Sequence, residues 1–227
     1  MKITWLGQAG FIFETLDLKI LIDPYLSNSV AESQPQNYRR FPVDQSFLKI
    51  KPNVLVITHD HADHFDKETL KHFLTDNSKM TVLSPWSVWQ EIRKFGGENN
   101  YVLFNSGTTW TENNIKFKAV KAEHSDFYAI GVIINVEGKN YYVTGDTLYN
   151  EAVFESVKDI EIEALFLPIN GKGNNMNKVD AATFAKRVGA KYIVPMHFGL
   201  FDNLSATEFL VDNKLTLTPY KEIVLDK

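Results

Sequence analysis

The segment Thr58–His64 concentrates side chains that bind metal ions. It reads Thr-His-Asp-His-Ala-Asp-His and holds three of the six histidines of the chain. In an extended segment residues two apart point the same way, so His59 and His61 can present both rings to one cation. Asp63 and His64 can face a second cation where the chain turns. A solvated polar loop is the weaker alternative, because rare residues seldom gather in so short a span.

Rigid elements are predicted on both sides of this segment. The apolar, β-branched run Asn53–Ile57 before it is typical of a buried strand. Asp66 after it is a suitable N-cap for a helix that carries Leu70 and Leu74 on one face. His72 falls on the opposite face, so we predict that it is solvated and is not a ligand. A loop held between two such elements can aim several ligands at one point.

Three further metal-binding side chains follow directly after predicted strands: His124, Asp146 and His197. Alone, such a histidine is more often a core or surface residue, and Asp146 is equally a turn or helix-cap candidate. Their order behind the histidine-rich segment favours a ligand role for all three. If the strand ends gather at one edge, one metal is held by His59, His61 and His124, the other by Asp63, His64 and His197, with Asp146 bridging.

The donors are therefore imidazole nitrogen and carboxylate oxygen. The chain contains no cysteine, so thiolate ligands and disulfides are excluded. Nitrogen and oxygen donors suit zinc, manganese or iron, and they do not choose between zinc and manganese. We predict two divalent metal ions, Zn²⁺ or Mn²⁺, with room for a shared water.

Short strands and helices alternate along the rest of the chain. Closely spaced strands at 2–6, 10–14 and 19–22 predict an antiparallel meander, and 26–45 is a long polar loop. Further strands are predicted at 79–83, 108–111, 115–121, 127–136, 139–144, 163–167 and 190–195. Helices are predicted at 85–94, 147–157 and 179–188, and another from the capping box Ser205–Glu208. This pattern indicates two sheets packed face to face and covered by helices, in one domain over 1–227.

Composition limits the class of partner. The formal net charge is −4 and there is no block rich in lysine or arginine, so bulk charge does not favour nucleic acid. No apolar run has the length of a membrane span, and Met1–Ile3 leads into strand-like sequence without a signal-peptide pattern. We expect a cytoplasmic protein that acts on a small molecule, with a homo-oligomer left open.

The motifs together resemble a known family. His59-x-His61-x-Asp63-His64, then His124, Gly145-Asp146 and His197, is similar to the metallo-β-lactamase fold superfamily over essentially the whole chain. The finer resemblance, to the L-ascorbate-6-phosphate lactonase-like branch of metal-dependent hydrolases, rests on Thr58–His64, Asn175–Asn177 and Pro195–Asn203. Gln8 departs from it, because many relatives have histidine or cysteine there. The resemblance implies an αββα sandwich of two mixed sheets, with helices on both outer faces and the metal site at one edge.

The resemblance implies hydrolysis of a small, anionic ester, lactone or phosphoester. Two divalent ions would lower the pKa of a water and polarise the scissile carbonyl or phosphoryl oxygen. Asp63, the predicted catalytic residue, would bind metal and orient the attacking water or accept its proton. Asp23 and Asp60 are candidates to bond the histidine nitrogens that face away from the metals and so to fix their tautomers.

Substrate contacts are predicted from charge and loop position. Arg39 and Arg40 lie in the long loop and could meet a phosphate or carboxylate, although a solvated pair fits equally. Lys172 lies in a glycine-rich loop before a predicted helix N-terminus, which favours an anion, although a plain turn is the simpler interpretation. Asn203, in the aromatic run after His197, is a further pocket candidate.

Three other functions would use the same ligands. A phosphodiesterase or nuclease of the superfamily would need a basic patch, which the sequence does not show. A di-iron redox protein of this kind typically has a carboxylate where His61 stands. A metal-binding protein without catalysis would usually have lost some of the ligands.

Overall fold

The computed structural model describes residues 1–225 and shows two compact units. The first consists of Met1–Leu103, Gly199–Asn203 and the chain from Leu217 onward. The second consists of Phe104–Phe198 and Leu204–Thr216. Each unit is built on its own sheet, so the prediction of two mixed sheets with helices is confirmed. The assignment of 1–227 to a single domain stays a prediction.

Thirteen strands form the two sheets of the described chain. The strands are β1 (Lys2–Gly7), β2 (Gly10–Glu14), β3 (Lys19–Ile22), β4 (Val54–Val56), β5 (Thr81–Ser84), β6 (Asn100–Leu103), β7 (Thr109–Glu112), β8 (Ile115–Lys121), β9 (Ile130–Val136), β10 (Lys139–Val143), β11 (Ala164–Pro168), β12 (Tyr192–Met196) and β13 (Glu222–Val224). The α-helices are α1 (Ser29–Ser33), α2 (Lys67–Leu70), α3 (Trp86–Ile92), α4 (Glu151–Glu155) and α5 (Lys178–Val188). Short 3-10 helices lie at Gln45–Lys49 and Arg93–Phe95. No helix among residues 1–225 has both the length and the apolar character that a membrane crossing requires.

The sheet of the first unit has the strand order β13-β1-β2-β3-β4-β5-β6. β1, β2 and β3 form the predicted antiparallel meander, and β3 to β6 then run parallel. Helices α2 and α3 bury one face in the core of this unit, where Leu70 and Ile92 pack with Leu21, Leu55 and Val82. The apolar face predicted for the helix after Asp66, with Leu70 and Leu74, is therefore buried as expected.

The predicted cap of α2 is also confirmed. The carboxylate of Asp66 accepts hydrogen bonds from the backbone N–H groups of Glu68 and Thr69 and from the Thr69 hydroxyl. Ser29 Oγ adds a further hydrogen bond to Asp66 Oδ1 at 2.8 Å. Asp66 is thus a buried aspartate whose contacts hold a helix end and do not involve a histidine.

The sheet of the second unit has the strand order β12-β11-β10-β9-β8-β7. Strands β7 to β10 pair antiparallel, and β10, β11 and β12 run parallel. Helix α5 buries Phe184, whose ring packs edge to face on Tyr142 of β10 at 6.5 Å between centroids. Asn177 caps α5. Gly189 follows the last residue of the helix in the left-handed conformation, where the sequence predicts the helix to end.

One helix prediction in the second unit starts too early, and another is wrong. The helix predicted from Thr147 begins only at Glu151, because Thr147 is engaged elsewhere: its hydroxyl accepts from the Glu123 N–H and its own N–H donates to Asn175 Oδ1. The capping box at Ser205 starts no helix. Glu208, which would have to reach back to Ser205, instead bonds Lys178 Nζ at 3.1 Å.

Parallel pairing brings the ends of several strands to one edge within each unit. In the first unit Ile22 of β3 is in register with Val56 of β4, so Asp23 and Thr58 both lie just beyond the same edge. In the second, Val143 of β10 is in register with Phe166, and Phe166 with Val194 of β12. The residues that follow β10 and β12 therefore lie beyond a shared edge as well.

Candidate metal centre

Asp23 is a fully buried carboxylate that joins the end of β3 to the histidine-rich segment. Its Oδ1 accepts the Thr58 backbone N–H at 2.8 Å, and its Oδ2 accepts Thr58 Oγ1 at 2.6 Å. His64 Nδ1 lies 2.8 Å from the same Oδ2. A carboxylate only accepts, so in the neutral ring His64 Nδ1 carries the proton and Nε2 the lone pair. Asp23 therefore makes the contact expected of a residue that fixes a histidine tautomer, whereas Asp60 is exposed.

Thr58 extends this control to a second histidine. The hydroxyl of Thr58 donates its only hydrogen to Asp23. Its oxygen must therefore accept a hydrogen bond from His59 Nδ1, which lies 3.1 Å away. His59 therefore also carries its proton on Nδ1 and its lone pair on Nε2. The His59 ring centroid lies 4.6 Å from that of His61 and 4.0 Å from that of His64. The first unit thus brings three predicted ligands together and fixes the tautomers of two.

Asp63 is held by a residue far away in sequence. Gln8 Nε2 donates to Asp63 Oδ2 at 3.0 Å, and the Gln8 backbone oxygen is in turn held by Trp5 Nε1 at 2.9 Å. Gln8 is only 2% exposed. The amide thus supports the orientation of the Asp63 carboxylate, whose Oδ2 also lies 3.9 Å from His64 Nε2. Sequence reasoning noted Gln8 as a departure from the family without finding this contact.

Three non-glycine residues of the candidate site have left-handed backbones. They are Gln8 at φ 49°, Asp23 at φ 40° and His197 at φ 58°. Such conformations are uncommon for residues with a Cβ and persist where surrounding contacts over-determine them, often at functional sites. Each of the three follows a strand and turns its side chain at the strand end. The strain is therefore located at the residues that orient or supply the predicted ligands.

The second unit brings two predicted ligands into direct contact. His197 Nε2 lies 3.1 Å from Asp146 Oδ2, and both side chains are almost completely buried. Ligand atoms that share one tetrahedral zinc lie about 3.3 Å apart, given zinc–ligand distances near 2.0–2.1 Å. Asn175 Nδ2 donates to the same Asp146 oxygen at 2.7 Å. The pair is therefore arranged as two ligands of one cation would be, with an amide that sets the rotation of the carboxylate.

A polar network of the second unit places His124. Its Nδ1 lies 3.2 Å from the backbone oxygen of Asn174, an acceptor only, so the neutral ring presents Nε2 as its lone-pair nitrogen. Asn175 Oδ1 accepts the Thr147 N–H at 2.9 Å, and Thr147 Oγ1 accepts the Glu123 N–H at 2.9 Å. The loop after β11 thereby supports both His124 and Asp146. The sequence marks this loop only by its resemblance to relatives, so the role of Asn175 was missed.

Replacing Asn175 with alanine is expected to weaken zinc binding by about tenfold or more, because outer-sphere partners of metal ligands typically contribute 10–100-fold to affinity. Loss of the amide frees the Asp146 carboxylate to rotate. Equilibrium dialysis against zinc would measure the effect. Asn135→Ala is the matched control, since that amide bonds Asn140 on strands of the same sheet. Equal zinc affinity of the two variants would contradict the role given to Asn175.

The predicted substrate contacts lie in different surroundings. Arg39 is 9% exposed, and its guanidinium donates to the Tyr25 backbone oxygen at 2.6 Å and to the Tyr220 hydroxyl at 2.8 Å. Burial lowers the pKa of this guanidinium from its ordinary value. Arg39 therefore ties the long loop to the first unit. Arg40 stacks on Tyr38 at 3.6 Å and is partly exposed.

Lys172 and Asn203 are both exposed. Lys172 belongs to the loop that carries Asn174 and Asn175, which places it within a few residues of the support of Asp146. Asn203 lies in the returning segment of the first unit. Substrate contact by Arg39, Arg40, Lys172 and Asn203 stays a prediction. His72 is exposed, as expected of a solvated residue.

The donor set fits divalent metal ions. Seven side chains of the described chain fall in groups of histidine and aspartate that could hold a metal ion: His59, His61, Asp63, His64, His124, Asp146 and His197. Three of these histidines have tautomers that present Nε2, which is the form that binds zinc or manganese. The structure therefore provides clusters able to bind metal, while the number and identity of the ions stay predictions.

Comparison with known proteins assigns the family. The model of the β-lactamase superfamily domain matches residues 2–197. A UPF0173 metal-dependent hydrolase of Ligilactobacillus salivarius is 30% identical over 213 residues, which cover 88% of this chain and 86% of that protein. One from Geobacillus thermodenitrificans is 27% identical over 220 residues, with 88% and 87% covered. The chain belongs to the metallo-β-lactamase superfamily.

Within that superfamily the chain is a metal-dependent hydrolase, like the relatives it matches along their length. Solved structures support the fold. An isothiocyanate hydrolase from Delia radicum gut bacteria has a TM-score of 0.78 at 19% identity, with 99% of each chain covered. A metallo hydrolase from Ignicoccus hospitalis has a TM-score of 0.75 at 22% identity, with 100% of this chain and 98% of that chain covered. The superfamily resemblance seen in the sequence is thus confirmed.

Proposed function

We propose that the chain hydrolyses a small ester, lactone or phosphoester with a dinuclear centre of Zn²⁺ or Mn²⁺, in the manner of the L-ascorbate-6-phosphate lactonase-like branch. The observation that carries this proposal is the pair of histidine tautomers that Asp23 fixes. One buried carboxylate sets His64 directly and His59 through Thr58, so that both rings present Nε2. This is the arrangement that metal-binding histidines require.

All seven predicted ligands take part in the proposed centre. His59, His61 and His124 would hold one ion, Asp63, His64 and His197 would hold the other, and Asp146 would contribute to both. When bound, such a pair of ions supplies a water of lowered pKa and polarises the scissile carbonyl or phosphoryl oxygen. The negative charge predicted for the substrate, with Arg39, Arg40, Lys172 and Asn203 as its contacts, belongs to this proposal.

Asp63 is the general base in this proposal. Its Oδ2 is occupied by the amide of Gln8, at 3.0 Å, which fixes the plane of the carboxylate. The carboxylate oriented in this way would accept the proton of the attacking water and return it to the leaving group. Because a side-chain amide neither takes up nor releases a proton near neutral pH, Gln8 orients Asp63 without competing for that proton. Asp23 acts in the same indirect way on His59 and His64.

Removal of the metal tests this proposal most directly. A chelator is expected to abolish hydrolysis across a panel of esters, lactones and phosphodiesters, and added Zn²⁺ or Mn²⁺ is expected to restore it. Elemental analysis of the purified protein should give about two ions per chain, the stoichiometry of two-metal hydrolases. The panel should also include an isothiocyanate, because a structure of similar fold acts on that class of compound.

Two variants make the panel decisive. Asp63→Asn and His61→Ala should each lose turnover of whichever compound the wild-type protein hydrolyses. Turnover equal to that of the wild type in both variants would show that a contaminant or a different site is responsible. Turnover that survives full metal removal would contradict the proposal in the same way.

A further inference from the structure

The loop between β8 and β9 carries His124 and, three residues later, Phe127, a large apolar residue that is almost fully exposed. Phe127 is 89% exposed and Tyr128 is 41% exposed, and their rings meet edge to face at 5.2 Å. The sequence predicts a strand from 127, but β9 begins only at Ile130. Tyr128 N donates to Asp126 Oδ1 at 2.8 Å, which turns the loop before the strand starts. The two rings are thus presented by a loop and are not buried in the sheet.

Hydrogen bonds of Glu123 hold the part of this loop that is next to the predicted ligand His124. The Glu123 N–H donates to Thr147 Oγ1, and the Glu123 backbone oxygen accepts from Leu148 N at 2.8 Å. The Glu123 side chain accepts from Asn150 Nδ2 at 2.8 Å. An ordered loop that presents aromatic side chains to solvent needs a reason, because water does not favour that exposure.

A cavity of about 350 Å³ lies beside the two rings, within the second unit. His124, Phe127 and Tyr128 all contribute to its lining, so an apolar wall and a predicted metal ligand face the same space. Its volume is in the range of small-molecule sites, which are typically apolar with a few polar groups. The cavity is therefore placed where part of a substrate would lie if the reacting bond is next to His124.

The charges around the cavity limit what can occupy it. Its lining contains one lysine, Lys121, and two carboxylates, Glu123 and Asp126. Lys121 Nζ already lies 3.6 Å from Glu123 Oε2. An anionic group of the substrate would be repelled here, because the lining has two carboxylates and one lysine and that lysine is already paired with Glu123. The surroundings favour an uncharged group with a flat apolar face.

We infer that this cavity receives an uncharged aromatic group of the substrate, which packs against Phe127 and Tyr128 while the scissile bond lies beside His124. The inference rests on the proposed function, and it narrows the substrate to compounds with an aryl or similarly flat apolar part. Any negative charge of the substrate then lies away from this cavity.

Matched esters with one leaving group test the inference. Methyl phenylacetate and methyl acetate differ only in the phenyl ring, and methyl 4-carboxyphenylacetate adds a negative charge. In the wild type we expect kcat/KM to fall in the order phenyl, carboxyphenyl, methyl. Phe127→Ser should lower kcat/KM for methyl phenylacetate about tenfold through KM, the size expected when a packed aromatic face is lost. Methyl acetate should be unaffected.

Direct binding separates this inference from the proposed function. Phenylacetamide, an unreactive probe, should bind the metal-free wild-type protein in ligand-detected NMR titrations. Its Kd should rise about tenfold in Phe127→Ser, on the same packing estimate. It should be unchanged in Phe127→Tyr, which keeps the ring, and in Leu210→Ser, which removes an apolar side chain that is 81% exposed elsewhere in the unit.

The outcomes are distinct. If no ester, lactone or phosphoester of the panel is hydrolysed, the proposed function fails, while phenylacetamide binding still shows whether the cavity takes an aromatic group. Equal phenylacetamide affinity of wild type and Phe127→Ser would overturn the inference even if esters are hydrolysed. Sedimentation could also overturn the inference. If Phe127→Ser dissociates an oligomer and leaves phenylacetamide binding unchanged, the rings of Phe127 and Tyr128 form a subunit contact.

Discussion

Replacing Asp63 with asparagine is expected to lower kcat by about a thousandfold, within the 10²–10⁴ range that a positioned general base contributes. Asparagine keeps one oxygen to accept the hydrogen bond of Gln8, so its amide NH₂ takes the place of Oδ1. An amide cannot accept the proton of the attacking water. Steady-state hydrolysis of the best panel substrate at saturating metal would measure the loss, with circular dichroism to confirm folding.

Gln8→Leu distinguishes proton transfer from orientation at the same carboxylate. Leucine is similar in size and keeps the Asp63 carboxylate, but it removes the donor that fixes the carboxylate plane. We expect a smaller loss than in Asp63→Asn, because the base is present and only its alignment suffers. If both variants lose activity equally, Asp63 acts as a ligand or support alone. If Asp63→Asn retains kcat within tenfold of the wild type, the assignment of the base is wrong.

The chemistry of the candidate site was accessible from sequence because it depends on rare residues at short spacing. His59, His61 and His64 with Asp63 are recognisable without any knowledge of tertiary structure. The strand ends before Asp146 and His197 were equally visible, because apolar runs rich in β-branched residues predict buried strands. For these residues the structure reproduces the predicted strand ends.

The contacts that orient these residues could not be predicted, because they join positions far apart in the chain. Gln8 and Asp63 are separated by 55 residues, and His124 and Asn174 by 50. Hydrophobic periodicity carries no information about such pairs. Asp23 was a candidate only because a second carboxylate was expected near the ring nitrogens, and sequence could not choose between it and Asp60.

Local signals also failed where tertiary contacts compete with them. Thr147 has the neighbours of a helix start, yet its hydroxyl and N–H are both engaged by Glu123 and Asn175. β13 has only three residues and was missed, since its pairing with β1 and not its own pattern makes it a strand. These failures lie at the candidate site or at a sheet edge, where long-range hydrogen bonds override propensity.

The two units support their ligands by one physical principle. In each, a polar side chain that binds no metal itself fixes a ligand: Asp23 for His64 in the first unit and Asn175 for Asp146 in the second. Both supports are buried and follow strands of the parallel part of the sheet. In both units, hydrogen bonds of the protein itself therefore support the orientation of a predicted ligand, as outer-sphere partners of metal ligands do.

Asp23→Asn should have the largest effect on metal binding among variants outside the ligand set. Asparagine can still accept the Thr58 N–H with Oδ1, but its Nδ2 then faces both Thr58 Oγ1 and His64 Nδ1. To accept from that amide, His64 must move its proton to Nε2, the nitrogen that should bind metal. We expect zinc affinity to fall about a hundredfold, the upper end for an outer-sphere partner. Calorimetric titration would give the affinity, and ¹⁵N chemical shifts of the histidine rings would give the tautomers.

Asp66→Asn is the matched control, because it alters a second buried aspartate of the same unit that caps α2 and contacts no ligand histidine. It should lower stability by about 1 kcal/mol, the usual cost of a weakened N-cap, and leave zinc affinity unchanged. A general destabilisation would lower affinity in both variants in proportion to their loss of stability. Loss of affinity in Asp23→Asn alone, with the ¹⁵N shift of a protonated Nε2, is the result that tautomer control requires. Unaltered affinity with unaltered ring shifts would mean that His64 takes its tautomer from the metal and not from Asp23.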